Sequence, residues 1–329
     1  MLTSNLACGP MSREIVEAIF RHSHKFGKQL MLICSRNQVD ENGGYVFTTK
    51  EYMEYVALMR QQYQKSDVII CRDHCGPGFG ISNNTLNSVE DTIRCDLESG
   101  FDLIHIDLCH LNAEHDEKLR HTLRLMEFAR SIRSDVMFEI GTDENVGTTE
   151  TDVERIVSDV KRCQEVANPV FYVVQTGSLV TQNRNTGKFN IDAVEAMHEA
   201  LRNCGTKLKE HNADYLTTDQ IAMRRGIVDA VNIAPQLGVI QTSLVLSHAL
   251  TYGIDTSPFV DKVARDVNWK KWNCHLGDHH LCALVSGHYH FSGPAYLQLA
   301  DQLNQKINIR ECIIEEIINV IEHYLFAME

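Results

Sequence analysis

The sequence predicts an α/β fold, a (β/α)8 TIM barrel with a mainly helical C-terminal extension. Three observations predict it. Short apolar runs alternate with amphipathic, charge-bearing stretches; this makes eight strand-then-helix units over about 250 residues; and polar residues gather where the strand-like runs end. The clearest strand-like runs are 29–34 (QLMLIC), 67–71 (DVIIC), 103–108 (LIHIDL), 136–141 (VMFEIG), 170–176 (VFYVVQT) and 227–233 (IVDAVNI), with weaker candidates at 2–6 and 206–211. Helical patterns lie near 11–25, 48–64, 87–99, 114–133, 150–166, 190–203, 217–225 and 236–252. The stretch 149–160 has the form of a helix start, with acidic residues in its first turn and apolar residues three and four apart. A doubly wound open sheet shares this alternation but more often carries a glycine-rich phosphate loop after its first strand; residues 8–12 read CGPMS, which is no such loop. The barrel is assigned to residues 1–252 and the extension to 253–329, packed on the barrel with no Pro/Gly/Ser linker between them. The last apolar-periodic helix, 307–326, is expected to cover the barrel or to meet another subunit.

The chain has 329 residues, 43% of them hydrophobic, enough for a substantial core. A formal charge of −13 argues against a nucleic-acid groove or an anionic membrane surface as partner, since both require clustered Lys and Arg. A few local donors still suffice for an anionic small molecule. The 11 cysteines are scattered without a CxxC pair, and several sit in apolar runs; a reducing cytoplasm is expected. The first residues lack a signal-peptide pattern, and no apolar run approaches the roughly 20 residues of a membrane-spanning helix.

Barrel enzymes place their chemistry at the C-terminal ends of the strands. The predicted strands here end in 35–38 (SRNQ), 72–74 (RDH), 105–107 (HID), 139–144 (EIGTDE), 175–178 (QTGS), 210–212 (EHN) and Asn232. His74, Glu139 and His211, from three strands, are expected to converge on a divalent metal, with zinc the expected ion. Asp73 lies beside His74, so both face inward only if the backbone turns at the strand end. A carboxylate so placed, Asp73 or Glu139, suits general acid or base work, moving the proton of a substrate hydroxyl. Asn37, Gln38, Asp107 and Asn212 are candidate substrate contacts, although Asp107 and Asp143 also suit helix N-caps. Lys209 shares a face with His211, which opens a Schiff-base reading beside that of an ion-paired lysine.

The segments NQVDENGGY (37–45), RDHCGP (72–77), IHIDLC (104–109), FEIGTDE (138–144), VVQTG (173–177), EHNADYLT (210–217) and NWKKW (268–272) occur in an order that resembles one family. It is the group known as non-catalytic subunits of class II tagatose-bisphosphate aldolase, some members of which are assigned as ketose-phosphate or hexuronate 4-epimerases. More distantly the chain resembles the metal-dependent class II aldolases themselves. The resemblance implies Asp73 as the proton-transfer acid, His74 and His211 as metal ligands, Glu139 near the metal and Asn232 on the substrate backbone. Class II aldolases carry a further ligand histidine after strand six. This chain has Gln175–Thr176–Gly177 there, so Gln175, Glu139 or water must complete the shell. Asn212–Ala213–Asp214–Tyr215 stands where a glycine-rich phosphate segment is usual, which weakens a bisphosphate substrate. His288, in SGHYH (286–290), is a candidate substrate contact, with His275, His279 and His280 forming a second polar wall.

These expectations amount to metal-assisted aldol and retro-aldol chemistry on a ketose or sugar phosphate, giving an aldolase if the aldehyde leaves and a C4 epimerase if it rotates and recombines. The non-enzymatic alternative is a stabilising subunit for a separate catalytic aldolase. A homo-oligomer or a catalytic aldolase subunit is the expected macromolecular partner.

Overall fold

Parallel strands cannot be joined by tight turns, so each pair needs a crossover, and in this chain the amphipathic segments supply it. The computed structural model describes residues 2–80, 85–272 and 278–329. Its eight parallel strands are β1 (Leu6–Cys8), β2 (Gln29–Ser35), β3 (Asp67–Cys75), β4 (Leu103–Ile106), β5 (Met137–Gly141), β6 (Phe171–Val174), β7 (Lys207–Glu210) and β8 (Ala230–Ile233). They close in sequence order, β1 pairing with both β2 and β8 through Ala7, opposite Met31 on one side and Asn232 on the other. The helices following the eight strands are α1 (Arg13–Phe26), α2 (Thr49–Gln62), α3 (Leu86–Ser99), α4 (His115–Ile132), α5 (Val153–Gln164), α6 (Ile191–Asn203), α7 (Thr218–Ala222) and α8 (Pro235–Thr251).

Local sequence sets the helix ends. Ser12 caps α1, and Thr48 with Glu51 forms a capping box on α2. Gly27 and Gly100 close α1 and α3 in the left-handed region. The first strand lies at Leu6–Cys8 rather than 2–6, because residues 3 and 4 donate their N–H groups to the Gln29 side chain instead of joining the sheet. The third strand runs to Cys75, four residues beyond the apolar run, since β2 and β4 offer partners on both sides. Two short sheets in the loops, Val39–Asp40 with Phe47–Thr48 and Val180–Thr181 with Arg184–Asn185, lack any sequence periodicity of their own.

Inside the barrel a small apolar floor of Ala7, Met31, Ile33, Cys71, Leu103, Phe171 and Ala230 lies beneath the polar residues. The larger core sits between strands and helices. The extension holds α9 (Ser257–Arg265), α10 (His279–Ser286), α11 (Pro294–Asn304) and α12 (Ile309–Met328), with 3-10 turns at Val267–Trp272 and Gly287–His290. Because α7 has only five residues, α12 covers that stretch of wall, packing on α1, α7 and α8. Its buried stripe includes Ile313, Ile317, Val320 and Tyr324, and the Tyr324 hydroxyl donates to Ala213 O at 2.6 Å. The last helix is therefore a cover on the barrel wall.

Alternation along the strands sorts the polar strand ends into two sets. Arg72 and Glu210 point away from the axis. Arg72 is fully buried and grips Asp96 of α3 through Nε and Nη2 at 2.6 and 2.7 Å, while Nη1 donates to Cys34 O and Val39 O. Glu210 is held by Arg224. Removing one partner of such a pair strands a buried charge, so Asp96→Ala should cost about 3–5 kcal/mol of stability. Urea denaturation followed by circular dichroism checks this; a loss under 1 kcal/mol would remove the pair from its structural role.

Candidate active site

A strand presents alternate residues to the axis, so adjacent Asp73 and His74 cannot both face it without a break. The break is present. The β3–β4 register shifts between Arg72 and Cys75, and His74 adopts φ 42°, the left-handed region that non-glycine residues rarely occupy. Gly76 follows because the chain then runs against β4: a Cβ there would lie 1.6 Å from Asp107 O. Both side chains reach the mouth, as the sequence reading required.

Four groups meet there. Asp73, His74, His105 and His211 each offer a ligand atom, all within 4.8 Å of one another. Each imidazole is tied on its far nitrogen. His74 Nδ1 lies 2.7 Å from Asp107 Oδ2, His211 Nε2 2.9 Å from Glu139 Oε1, and His105 Nε2 3.0 Å from Gly141 O. The carboxylates and the carbonyl can only accept, so each imidazole donates outward and, when neutral, turns its other nitrogen's lone pair inward. At His105 that nitrogen, Nδ1, already faces the His74 backbone N–H at 3.2 Å and Asp73 Oδ1 at 3.1 Å, both of which an ion there would have to displace or share. Gly141 offers its carbonyl from φ 90°. Histidines bound to a metal are oriented by the same kind of outward bond, and the donor set of three imidazoles and a carboxylate fits a divalent cation.

The charges agree with that fit. Burial pushes the Asp73 carboxyl up, but His74, His211 and His105 outweigh it and hold the group well below the usual carboxylate range. Burial lowers His105, yet Glu139, Asp73 and Asp107 raise it to about 9; Asp73 and Asp107 similarly outweigh burial at His74. Protons and a metal cation compete for one negative field. His211 is taken down to about 4 by its burial.

Glu139 lies beneath the cluster. Its carboxylate takes His211 on one oxygen and Lys209 Nζ, at 2.6 Å, on the other; burial raises its pKa, but Lys209 and the imidazoles bring it to about 2. Both oxygens are thus engaged and Glu139 stands outside the four converging groups, so the expected ligand or proton carrier is placed instead to orient His211. Lys209 is fully buried in this ion pair, the structural alternative to a Schiff-base lysine. Gln175 is not brought to the cluster. Its amide oxygen accepts from Thr148, and the side chain lines a separate cavity between the strands and α4–α5. Asp107 lies behind His74, accepting from Thr142 and the Cys109 N–H as well, so it is a positioning group rather than a substrate contact.

The cluster opens into a cavity of about 260 Å³. Asn37, Gln38, Asn212, Asn232 and His288, the expected substrate contacts, all line it. Both polar atoms of the Asn232 amide and both ring nitrogens of His288 are buried without a hydrogen-bond partner among the described residues. His279 and His280 stand exposed at the start of α10, so they form no wall of it; His275 lies outside the described residues.

Sequence reasoning passed over three contributors. His105 was visible in LIHIDL but not separated from its neighbours as a ligand; its two-residue spacing from Asp107 was the available signal. Lys271, in NWKKW, keeps its side chain exposed within the cavity, where crowding by protein lowers its pKa against the pull of Asp73. Asp143, weighed as a helix cap, instead accepts from Asn145 N–H within its loop and lines the cavity, while Asp152 caps α5. Burial pushes the Asp143 carboxyl up to about 7.

Residues 6–130 match the model of the GatZ/KbaZ-like family, described as D-tagatose-1,6-bisphosphate aldolase subunit GatZ/KbaZ-like. That span contains Asp73, His74, His105 and Asp107. Among solved structures, a probable tagatose 6 phosphate kinase from Sinorhizobium meliloti 1021 superposes with a TM-score of 0.80 at 15% identity, covering 98% of this chain and 99% of the other. Fructose-bisphosphate aldolase from Campylobacter jejuni gives 0.61 at 12% identity over 98% and 90%. The YdjI aldolase from Escherichia coli K12 gives 0.57 at 11% over 98% and 91%. At these identities the likeness is one of fold: the chain is a closed (β/α)8 barrel like theirs, with the sequence pattern of the subunit family in residues 6–130.

Proposed function

We propose that this chain is a divalent-metal-dependent enzyme of carbohydrate metabolism, acting on a ketose or sugar phosphate by retro-aldol and aldol chemistry. The carrying observation is the convergence of three imidazoles, each tied outward, on Asp73 at the barrel mouth. The family match in residues 6–130 and the aldolase barrels among the structural neighbours support the same reading. His74, His105 and His211 would hold the ion, which when bound would supply Lewis-acid polarisation of a sugar carbonyl, typically worth several kcal/mol.

The chain's own groups account for the proton movements. Asp73 is ionised at neutral pH, so its carboxylate oxygens accept the proton of the sugar hydroxyl adjacent to the breaking C3–C4 bond. When the aldehyde leaves, the electron pair of the C3–C4 bond stays with the carbonyl fragment and C3 must gain a proton, which Asp143, protonated below about pH 7, can supply; on re-addition the C4 oxygen instead recovers its proton from Asp73. Asn37 and Asn232 offer amides to sugar hydroxyls, while Gln38, its amide oxygen accepting from the Ser35 N–H at 2.8 Å, offers its NH2 group. Release of the aldehyde makes the reaction a cleavage; rotation and re-addition make it a 4-epimerisation with the same residues. The description of the matched family as an aldolase subunit favours a second reading, an accessory role beside a catalytic partner.

Metal analysis of the purified chain, followed by NMR of ketoses and ketose phosphates, separates these readings. Bound metal with turnover by the chain alone is expected; no metal and no turnover without a partner would leave the accessory role. Metal uptake should release protons and tighten from pH 6 to 8, because imidazoles raised by their acidic neighbours must deprotonate to bind. His105→Ala should lose the metal and Asp107→Asn should weaken it by roughly 10- to 100-fold, with Gln175→Ala unchanged. Calorimetric titration with zinc reads all three, and weakening by Gln175→Ala alone would reverse the ligand assignment.

A pH profile tests Asp143. With its pKa raised to about 7, the protonated donor is lost as pH rises, so activity should fall through pH 7. Asp143→Asn should lower kcat by about 100-fold or more and abolish that limb. Persistence of the limb in the variant would assign it to another group.

A further inference from the structure

We infer that the chain holds a second divalent-cation site, built from Cys109, His110 and Glu144 on the wall between the mouth cavity and the cavity beside α4 and α5. Each of the three offers one ligand atom, a thiol sulfur, a ring nitrogen and a carboxylate oxygen, all within 4.8 Å of one another. None of them belongs to the cluster of Asp73, His74, His105 and His211. Cys109 lines the strand–helix cavity, His110 lines the mouth, and Glu144 lines both. The site stands apart from the imidazole cluster and from the reaction proposed there.

Two loops supply the donors: Cys109 and His110 follow β4, and Glu144 follows β5. Asp107 Oδ1 accepts from the Cys109 N–H at 3.0 Å, and Lys118 Nζ donates to Cys109 O at 2.8 Å, so the backbone that carries the thiol is held from both sides. The His110 ring lies against Phe79 with centroids 4.7 Å apart, and Phe79 in turn stacks on His74. Gly78, at φ 87°, admits that ring, since a Cβ there would lie 2.9 Å from His110 Cβ and Cδ2. His110 Nδ1 stands 3.7 Å from Glu144 Oε1, too far for a hydrogen bond and close to the separation of about 3.3–3.6 Å between two ligand atoms on a tetrahedral zinc. Glu144 has an exposed side chain and closes on the thiol by rotation.

Thiolate, imidazole and carboxylate together suit zinc and leave a fourth position for water. The free thiol is protonated, because burial pushes its pKa up and the Asp107 and Glu144 carboxylates add to the rise. Coordination breaks the S–H bond: sulfur keeps the electron pair, the proton goes to solvent, and the ion relieves the negative field around the sulfur. An ion held there ties the loop that carries Asp107 to the loop that carries Asp143, and so clamps two edges of the mouth.

Cobalt(II) titration of the full, metal-free chain tests the site. Cobalt bound by a thiolate gives a charge-transfer band in the near ultraviolet, which imidazoles and a carboxylate do not give. The wild-type chain should show that band and take up two equivalents by equilibrium dialysis, one at each cluster. Cys109→Ser should lose the band and one equivalent together, while the visible bands of cobalt at the imidazole cluster remain. His110→Ala and Glu144→Gln should each weaken the thiolate-bound equivalent by more than about 10-fold, since losing a ligand exceeds the loss of an outer partner. His105→Ala should keep the charge-transfer band. Absence of that band from the wild-type chain overturns the proposal without needing a variant, and so does a band that survives Cys109→Ser. A single equivalent that carries the band retains this site and removes the metal reading of the imidazole cluster, so the two fail separately.

Discussion

A β-strand cannot show two neighbouring side chains to the same side, and this site needs Asp73 and His74 together. The left-handed conformation of His74 and the register shift beside it meet that need, and everything at the mouth follows from them. A non-glycine residue at positive φ costs of order 1–3 kcal/mol and persists where the surroundings over-determine it. Those surroundings are visible: the His74 ring is fixed by Asp107 and stacks on Phe79 with centroids 4.6 Å apart, while the backbone N–H of His74 donates to His105 Nδ1. Just before the turn, Arg72 anchors the strand on its other face.

Beneath the mouth, charge is arranged in depth. Glu139 and Lys209 neutralise one another inside the barrel, above the apolar floor. A buried pair of this kind adds little stability by itself, since desolvation offsets most of the attraction. Its contribution here is orientation: with Lys209 holding one carboxylate oxygen, the other is free to fix the tautomer of His211. The three histidines are thereby preorganised before any ligand arrives, and little ordering entropy remains to oppose binding.

The extension completes the site from outside the barrel sequence. Lys271 and His288 lie on two 3-10 turns whose packing with α8 to α10 brings them over the strand ends. Glycines make that approach feasible: a Cβ on Gly238 of α8 would lie 2.7 Å from the His288 side chain. The polar mouth and the partnerless groups above it are thus parts of one cavity contributed by distant stretches of chain.

The amino-acid sequence by itself determined the barrel, because periodicity and strand-end polarity are local properties of a chain that alternates β and α segments. It also placed Asp73, His74 and His211 at strand ends of the same closed sheet, whereas the turn at His74 that lets the first two share a side was decided by the folded structure. Tertiary structure alone decided the remaining roles. Glu139 and Gln175 end strands just as His74 does, yet Lys209 and Thr148 claim them, and His105 takes the place in the cluster. Asp143 and Lys271 gained their character from burial and from packing across the cavity. Hydrogen-bond partners and desolvation depend on which atoms lie within a few ångströms, and that is fixed only when separate strands and the extension have come together.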